Sequence, residues 1–298
     1  MSLDLPNLAI QPGCSSPVPP LGADLDDQLL KPGEYKPMDM LAVAAAREVR
    51  NGDVVFAGTG LPMLAITLAQ LTHAPDAVCI YQAGTIDGKP IHMPTSVGDA
   101  RLEFRAALAA GLNETFAQLQ RGYVDLGFLG AAEIDKYGNV NATVVGKPGE
   151  AGAYGPAASK RFTGSGGNAD IASLAKRVVF IMVQEKRRFK ERVDYITSPG
   201  WRIPKWPSGE MVHKREVYGR AFRGGPAAVI TNMAVFRFDE SGEMYLDTVH
   251  PGFTPEQVKE NCSFDLNLSR VRGETRPPTK KEVELLYTVV DPEGIFLT

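Results

Sequence analysis

Two short stretches carry residue types and spacings that could act on a ligand. The first is Val78-Cys79-Ile80-Tyr81-Gln82-Ala83-Gly84: four residues that read as a buried strand, then a polar side chain, a small residue and a glycine. Ligands of open α/β sheets bind just beyond the carboxyl ends of the strands, and the residue delivered to that place is Gln82. A carboxamide there binds and orients through its acceptor oxygen and its donor nitrogen. It serves neither as a carboxylate nucleophile nor as a general base. The second stretch is Phe162-Thr163-Gly164-Ser165-Gly166-Gly167-Asn168, with three glycines in four positions leading into a helical segment. Such a loop lets backbone N–H groups converge without Cβ interference, and the helix start adds partial positive charge. That suits a phosphate or a developing oxyanion. No Lys-Ser/Thr follows, so it is not a Walker loop, and no strand runs directly into it, so it is not a dinucleotide fingerprint. The competing reading is a tight loop that only lets strand and helix pack.

Other candidates carry less. Gly58-Thr59-Gly60 after a strand reads first as a generic α/β turn. Glu185-Lys186-Arg187-Arg188-Phe189-Lys190 reads first as a solvated face, with contact to the phosphates of a large anionic ligand as the alternative. His92 and His250 lie beside proline-containing turns with no visible sequence partner and read as structural or surface residues. No Ser-His-Asp or Cys-His set can be assembled, and no Cys/His cluster has zinc spacing, so no metal site is expected.

The elements that must position these residues follow from periodicity and punctuation. An Ala-rich helix over 40–49 is stopped by Asn51-Gly52. A strand over 53–56, a glycine turn, a helix over 63–71 with Pro62 at its start, and the Gln82 strand make a β-α-β unit with parallel strands. A loop over 85–99 follows, and its length marks it as functional. Helical signal returns over 101–112 and 115–120, and a strand is expected over 124–129. Residues 146–160 read as an exposed loop, 178–183 as a buried strand, and 201–225 as a second insertion. Short strands over 227–231, 234–238 and 244–246 surround tight turns, so this end of the sheet is expected to be antiparallel. Thr254-Pro255-Glu256-Gln257 is a helix start, and 280–286 is a last helix. The fold class is therefore α/β, an open and mostly parallel sheet with helices on both faces. Residues 1–36, rich in Pro, Gly and Asp, form an N-terminal arm, and 37–298 form one domain.

Bulk properties bound the function. The 298 residues are 44% hydrophobic and 22% charged, which argues for a folded domain with a sizeable core. A net charge of −3 implies no broad basic face, so nucleic acid is not an expected partner. No apolar run reaches the ~18 residues of a membrane span, and no secretory signal opens the chain. Cys14, Cys79 and Cys262 are odd in number and far apart, which fits a reducing cytoplasm.

Seven blocks, taken together and in order, resemble a known family. They are Gly58-Thr59-Gly60-Leu61-Pro62, the Gln82 strand, Pro94-Thr95-Ser96-Val97-Gly98-Asp99, Ile134-Asp135-Lys136-Tyr137-Gly138-Asn139-Val140-Asn141, Arg161-Phe162-Thr163-Gly164-Ser165-Gly166-Gly167, Glu185-Lys186-Arg187-Arg188-Phe189, and Asp194-Tyr195-Ile196-Thr197-Ser198-Pro199-Gly200-Trp201. They resemble the β subunits of family I coenzyme A transferases, that of glutaconate CoA-transferase most of all, over about residues 37–295. The arm and insertions near 147–158 and 203–223 lie outside the likeness.

The resemblance implies the NagB/RpiA-like fold of those subunits and an α subunit of similar fold, in an αβ or α2β2 assembly. It implies an interface site that takes an acyl-CoA and a carboxylic acid as substrates, with no tightly bound cofactor. In the family a glutamate at the strand end attacks the thioester and carries CoA as a glutamyl thioester, and the matching position here is Gln82. The family's glycine loop, which holds the oxyanion beside the CoA thioester, matches Gly164, Ser165, Gly166 and Gly167. Ala83, Gly84, Ser96, Gly98 and Asp99 are candidates for a substrate loop. Three accounts fit the amide at position 82. One is a deliberate near-isosteric exchange of Glu for Gln in a transferase. Another is a relative turned decarboxylase or ring-opening hydrolase of a dicarboxylic or β-oxo acyl-CoA. The third is a silent β chain with the chemistry on α.

Overall fold

A computed structural model describes residues 28–146 and 160–297; residues 1–27 of the expected arm and nearly all of the expected loop at 146–160 lie outside them. The described part of the arm packs on the other end of the chain, where Leu30 N donates to Pro278 O at 2.9 Å.

The main sheet has nine strands: β1 (Val54–Ala57), β2 (Val78–Tyr81), β3 (Thr85–Ile86), β4 (Leu108–Ala109), β5 (Leu126–Leu129), β6 (Arg177–Ile181), β7 (Gly225–Ile230), β8 (Ala234–Phe238) and β9 (Met244–Val249). Their order is β9-β8-β7-β6-β5-β1-β2-β3-β4. The five strands from β7 to β2 pair in parallel. Antiparallel strands close both edges, β8 and β9 on one side and β3 and β4 on the other. The sheet is mixed: the parallel centre and the antiparallel β8-β9 edge follow from the β-α-β spacing and the short C-terminal strands, whereas the β3-β4 edge is not among the expected elements.

The helices are α1 (Pro37–Ala46), α2 (Leu61–Leu71), α3 (Leu112–Arg121), α4 (Asn168–Leu174), α5 (Lys214–Tyr218), α6 (Pro255–Glu260) and α7 (Lys280–Leu285). They cover both faces, because alternate strand residues point to opposite sides. Val55, Cys79, Phe128 and Val179 share a buried cluster with α1, α2 and α7. Their neighbours Phe56, Ile80, Leu129 and Phe180 share the other, with Leu119 of α3, Ile171 of α4 and Val258 of α6. Parallel strands buried on both faces explain the near-continuous apolar runs in the sequence. Among the described residues no helix is long and apolar enough to cross a membrane.

The expected helix over 101–112 is not formed. A single 3₁₀ turn spans Ala100–Glu103, and the chain then becomes β4. The open edge of β3 captures this segment: Ala107 N donates to Ile86 O at 3.0 Å, and Leu108 pairs with Ile86. Arg105, at φ +53°, breaks any helical continuation. Gly84 permits the approach, since a Cβ there would sit 2.2 Å from Ala110 O. The insertion at 201–225 is a β-hairpin, Arg202–Pro204 against Met211–His213, followed by α5. Buried Lys214 anchors it by donating to Ala172 O of α4 at 2.9 Å, and burial pushes its pKa down to about 8.

His250 is a core residue. Its Nε2 donates to Thr231 O at 2.8 Å and its Nδ1 accepts from Thr275 Oγ1 at 2.9 Å, the tautomer following from the carbonyl partner. Burial holds its pKa down at about 4, so it is neutral at physiological pH. Exposed His92 lies 3.3 Å from Glu293.

Candidate functional site

Four of the five parallel strands deliver their carboxyl ends to one cavity of about 620 Å³. Phe56 to Thr59 follow from β1, Gln82 from β2, Phe128 to Ala132 from β5, and Ile181 ends β6. The volume falls within the range that holds small-molecule ligands. Gly58 and Thr59, read from sequence first as a generic turn, belong to this wall.

Gln82 is half-buried one residue past β2. Its backbone oxygen accepts the hydroxyl of Thr115 on α3 at 2.9 Å, which ties strand end to helix. Its side-chain amide makes no hydrogen bond among the described residues, leaving donor and acceptor free for a ligand.

The glycine loop lies directly against that amide. A Cβ on Gly167 would stand 3.1 Å from Gln82 Oε1 and 2.7 Å from Phe116 Cζ, and one on Gly166 would stand 4.0 Å from Gln82 Nε2. Phe116 is itself fixed edge-on against Phe56, ring centroids 5.6 Å apart. Only glycine lets the loop come this close. Phe162 N donates to Thr143 O at 2.9 Å and Gly164 N to Ala142 O at 3.0 Å, which pins the entry of the loop. Ser165 takes Asn168 N on its carbonyl and Ala169 N on its hydroxyl, which pins the exit. The amides of Ser165, Gly166 and Gly167 donate to no group among the described residues. Of the loop, Thr163 and Gly164 line the cavity, whereas Ser165, Gly166 and Gly167 are not among its lining residues and Gly166 and Gly167 approach it through Gln82; α4, with seven residues, adds little helix field.

A charged network supports the loop from outside the cavity. Lys190 pairs with the buried Glu133 carboxylate and, at 2.9 Å, with Asp194. Burial works against its charge, but bonds to the two carboxylates hold its pKa above the ordinary lysine value. Asn141 donates to Glu133 at 2.7 Å and accepts from Thr143 N at 3.0 Å, which connects the network to the segment that receives the loop.

The remaining candidates fall beside the cavity. A Cβ on Gly98 would lie 3.5 Å from that of Ala83, so the loop ending at Asp99 leans on the Gln82 turn. Ser96 and Asp99 serve that loop itself. The Ser96 hydroxyl accepts Gly98 N at 3.3 Å, and Asp99 binds Thr95 N and the Arg101 side chain. The Arg101 bonds hold the Asp99 carboxyl well below the usual range. Gly84 is required by the passing backbone of Ala110 and stands away from the cavity wall.

Lys160, Arg187 and Arg188 do line the cavity. The charged run at 185–190 is thus divided: Lys186 is exposed to solvent, Arg188 is half-buried at the wall, and Phe189 is buried beneath. Nothing in the local sequence marks Lys160, Thr115 or Phe116. No Asp, Glu, His or Cys is among the described residues of the cavity wall.

Residues 38–261 match the coenzyme A transferase family. The chain belongs to that family. It is 39% identical to the β subunit of 3-oxoadipate CoA-transferase from Pseudomonas knackmussii, over 85% of this chain and 92% of that one. To the β subunit of glutaconate CoA-transferase from Acidaminococcus fermentans it is 36% identical, over 88% and 95% of the two chains. The crystal structure of glutaconate coenzyme A-transferase from Acidaminococcus fermentans superposes with a TM-score of 0.79 at 35% identity, covering 89% of this chain and 98% of that one. The cholesterol ring-cleaving hydrolase IpdB subunit of Mycobacterium tuberculosis is a more distant relative, at 26% identity over 86% of this chain and 95% of its own. The chain is thus a CoA transferase β subunit of family I, and the decarboxylase AibA/AibB, 24% identical at a TM-score of 0.70, shares its fold.

Proposed function

We propose that this chain, paired with an α subunit of the same family, binds an acyl-CoA and a free carboxylic acid and moves CoA between them without a covalent intermediate on residue 82. The observation that carries the reading is the unpaired Gln82 amide against Gly166 and Gly167, in a cavity whose described wall has no carboxylate. A neutral amide cannot attack a thioester. It can donate Nε2–H to the carbonyl oxygen while the loop amides share the developing negative charge. The carboxylate of the acceptor acid then attacks the thioester carbon directly. The C–S bond breaks, CoA leaves as the thiolate, and a mixed anhydride remains. The thiolate attacks the acceptor-derived carbonyl, the C–O bond breaks, and the donor acid departs as its carboxylate. Both substrates must occupy the site together. Dicarboxylic acids are the proposed acids, in line with the 3-oxoadipate and glutaconate named for the two relatives. Cys79 and Cys262 are free and buried, which agrees with a reducing compartment, and we place the assembly in the cytoplasm.

The test is steady-state kinetics on the αβ assembly with glutaryl-CoA and a second dicarboxylate both varied. Double-reciprocal lines that intersect are expected, because a ternary complex forms. Parallel lines, the signature of CoA carried on the enzyme, would overturn the reading.

A further inference from the structure

The cavity wall carries three cationic residues that the transfer chemistry does not use. Lys160, Arg187 and Arg188 line it, and no described acidic residue does. Of the three, Arg188 is the one built into the fold. Its carbonyl accepts Ile134 N at 2.8 Å, its N–H donates to Glu185 O at 2.8 Å, and the next residue, Phe189, is fully buried. Arg187 is 72% exposed in its side chain and bonds Glu185 at 2.5 Å, whereas Arg188 is 29% exposed and reaches the same carboxylate only at 3.7 Å. Arg188 therefore lines the wall with no side-chain hydrogen bond among the described residues, and Phe128, Ile171 and Ile181 line the same cavity. A planar fork of donors in a cavity that also has apolar lining matches a carboxylate at the far end of a short carbon chain.

Size decides between that anion and the phosphates of CoA. A sphere of 620 Å³, the volume of this cavity, would be roughly 11 Å across. Extended single bonds advance roughly 1.2 Å each, so the far carboxyl of a five- or six-carbon diacid lies roughly 5–6 Å from the thioester carbon. The first phosphorus of CoA lies about thirteen bonds from the sulfur, roughly 16 Å away and beyond the cavity.

We propose that Arg188 binds the distal carboxylate of a dicarboxylic acyl thioester and so sets the substrate class. This rests on the reading that the Gln82 cavity takes the thioester.

The test is calorimetric binding of glutaryl-CoA and of pentanoyl-CoA, which lacks only the terminal carboxylate, to the αβ assembly carrying native Arg188, Arg188→Met or Arg188→Lys. A charge-assisted bond of this kind corresponds to about 10–100-fold in affinity. Native protein should favour glutaryl-CoA by that factor. Arg188→Met should erase the preference by weakening glutaryl-CoA alone, and Arg188→Lys should retain part of it. Equal weakening of both thioesters by Arg188→Met would overturn the proposal and assign the arginine to the CoA moiety. Equal affinities in native protein would also overturn it while leaving the thioester site standing. Failure of native protein to bind either thioester would overturn both the proposal and the reading beneath it.

Discussion

Gln82→Glu should convert the site to covalent catalysis. The exchange keeps side-chain length and shape and replaces the amide nitrogen by an ionisable oxygen. The strand end that presents it is unchanged, since Thr115 holds residue 82 through its backbone oxygen. The described cavity wall carries no acidic group to raise the new carboxyl's pKa, and the backbone of Gly166 and Gly167, with no acceptor for its N–H groups among the described residues, lies beside residue 82. The carboxylate then competes with the acceptor acid for the thioester carbon and outpaces it, because it is already oriented. The expected gain in CoA transfer is on the order of 10³-fold or more, the scale on which single nucleophiles act. Two signatures should accompany it. Double-reciprocal lines should become parallel, and incubation with acyl-CoA alone should leave a borohydride-sensitive CoA adduct on the peptide that contains residue 82. A variant that is folded and assembled yet shows neither would mean that the Gln82 side chain does not meet the thioester carbon.

Gly167→Val should have the second-largest effect, in the opposite direction. Gly167 has φ −83°, an ordinary backbone value, so a side chain there meets a steric barrier and no conformational one. Its Cβ would lie 2.7 Å from Phe116 Cζ and 3.1 Å from Gln82 Oε1, well inside contact distance. Phe116 packs on Phe56 and cannot retreat without disturbing the floor of the cavity. The loop must move instead, and its amides with it. Loss of one aligned oxyanion donor typically lowers turnover about 10²–10³-fold. The expected result is a fall of that size in turnover of an αβ assembly that still folds, with a melting temperature lowered by an overpacking cost of about 1–3 kcal/mol. Phe116→Leu in the same chain should return part of the loss, because it removes the atom that the new side chain strikes. If Gly167→Val left turnover intact, the loop would be a packing element only.

How much of this is legible in the sequence differs by element, for physical reasons. The parallel centre is legible because its strands are buried on both faces and show as apolar runs, and a βαβ unit has a recognisable length. Gln82 and the glycine loop are legible because each breaks such a pattern at a strand end or a helix start. Their meeting is not, since 84 positions separate Gln82 from Gly166 and the contact exists only once β2 and α4 are in place. The segment 101–112 reads as helix because its helical pattern is real, and it yields to the open edge of β3, a tertiary effect. The run at 185–190 reads as solvated because charge runs usually are. What moves Arg188 to the cavity wall is the burial of Phe189 and the strand pairing of residues 189–190 with residues 134–135, which no local rule reveals. Lys190 is similar, since its buried partner Glu133 lies 57 positions away.

The central claim is that Gln82 and the glycine loop hold a thioester carbonyl and that residue 82 does not itself take CoA. The most direct measurement is the structure of the αβ assembly soaked with glutaryl-CoA and no acceptor acid. The predicted result is an intact thioester, its carbonyl oxygen within about 2.7–3.2 Å of Gln82 Nε2 and of at least one amide among Ser165, Gly166 and Gly167, with continuous C–S density. A thioester bound away from Gln82, or CoA joined covalently to any residue of the assembly, would contradict it.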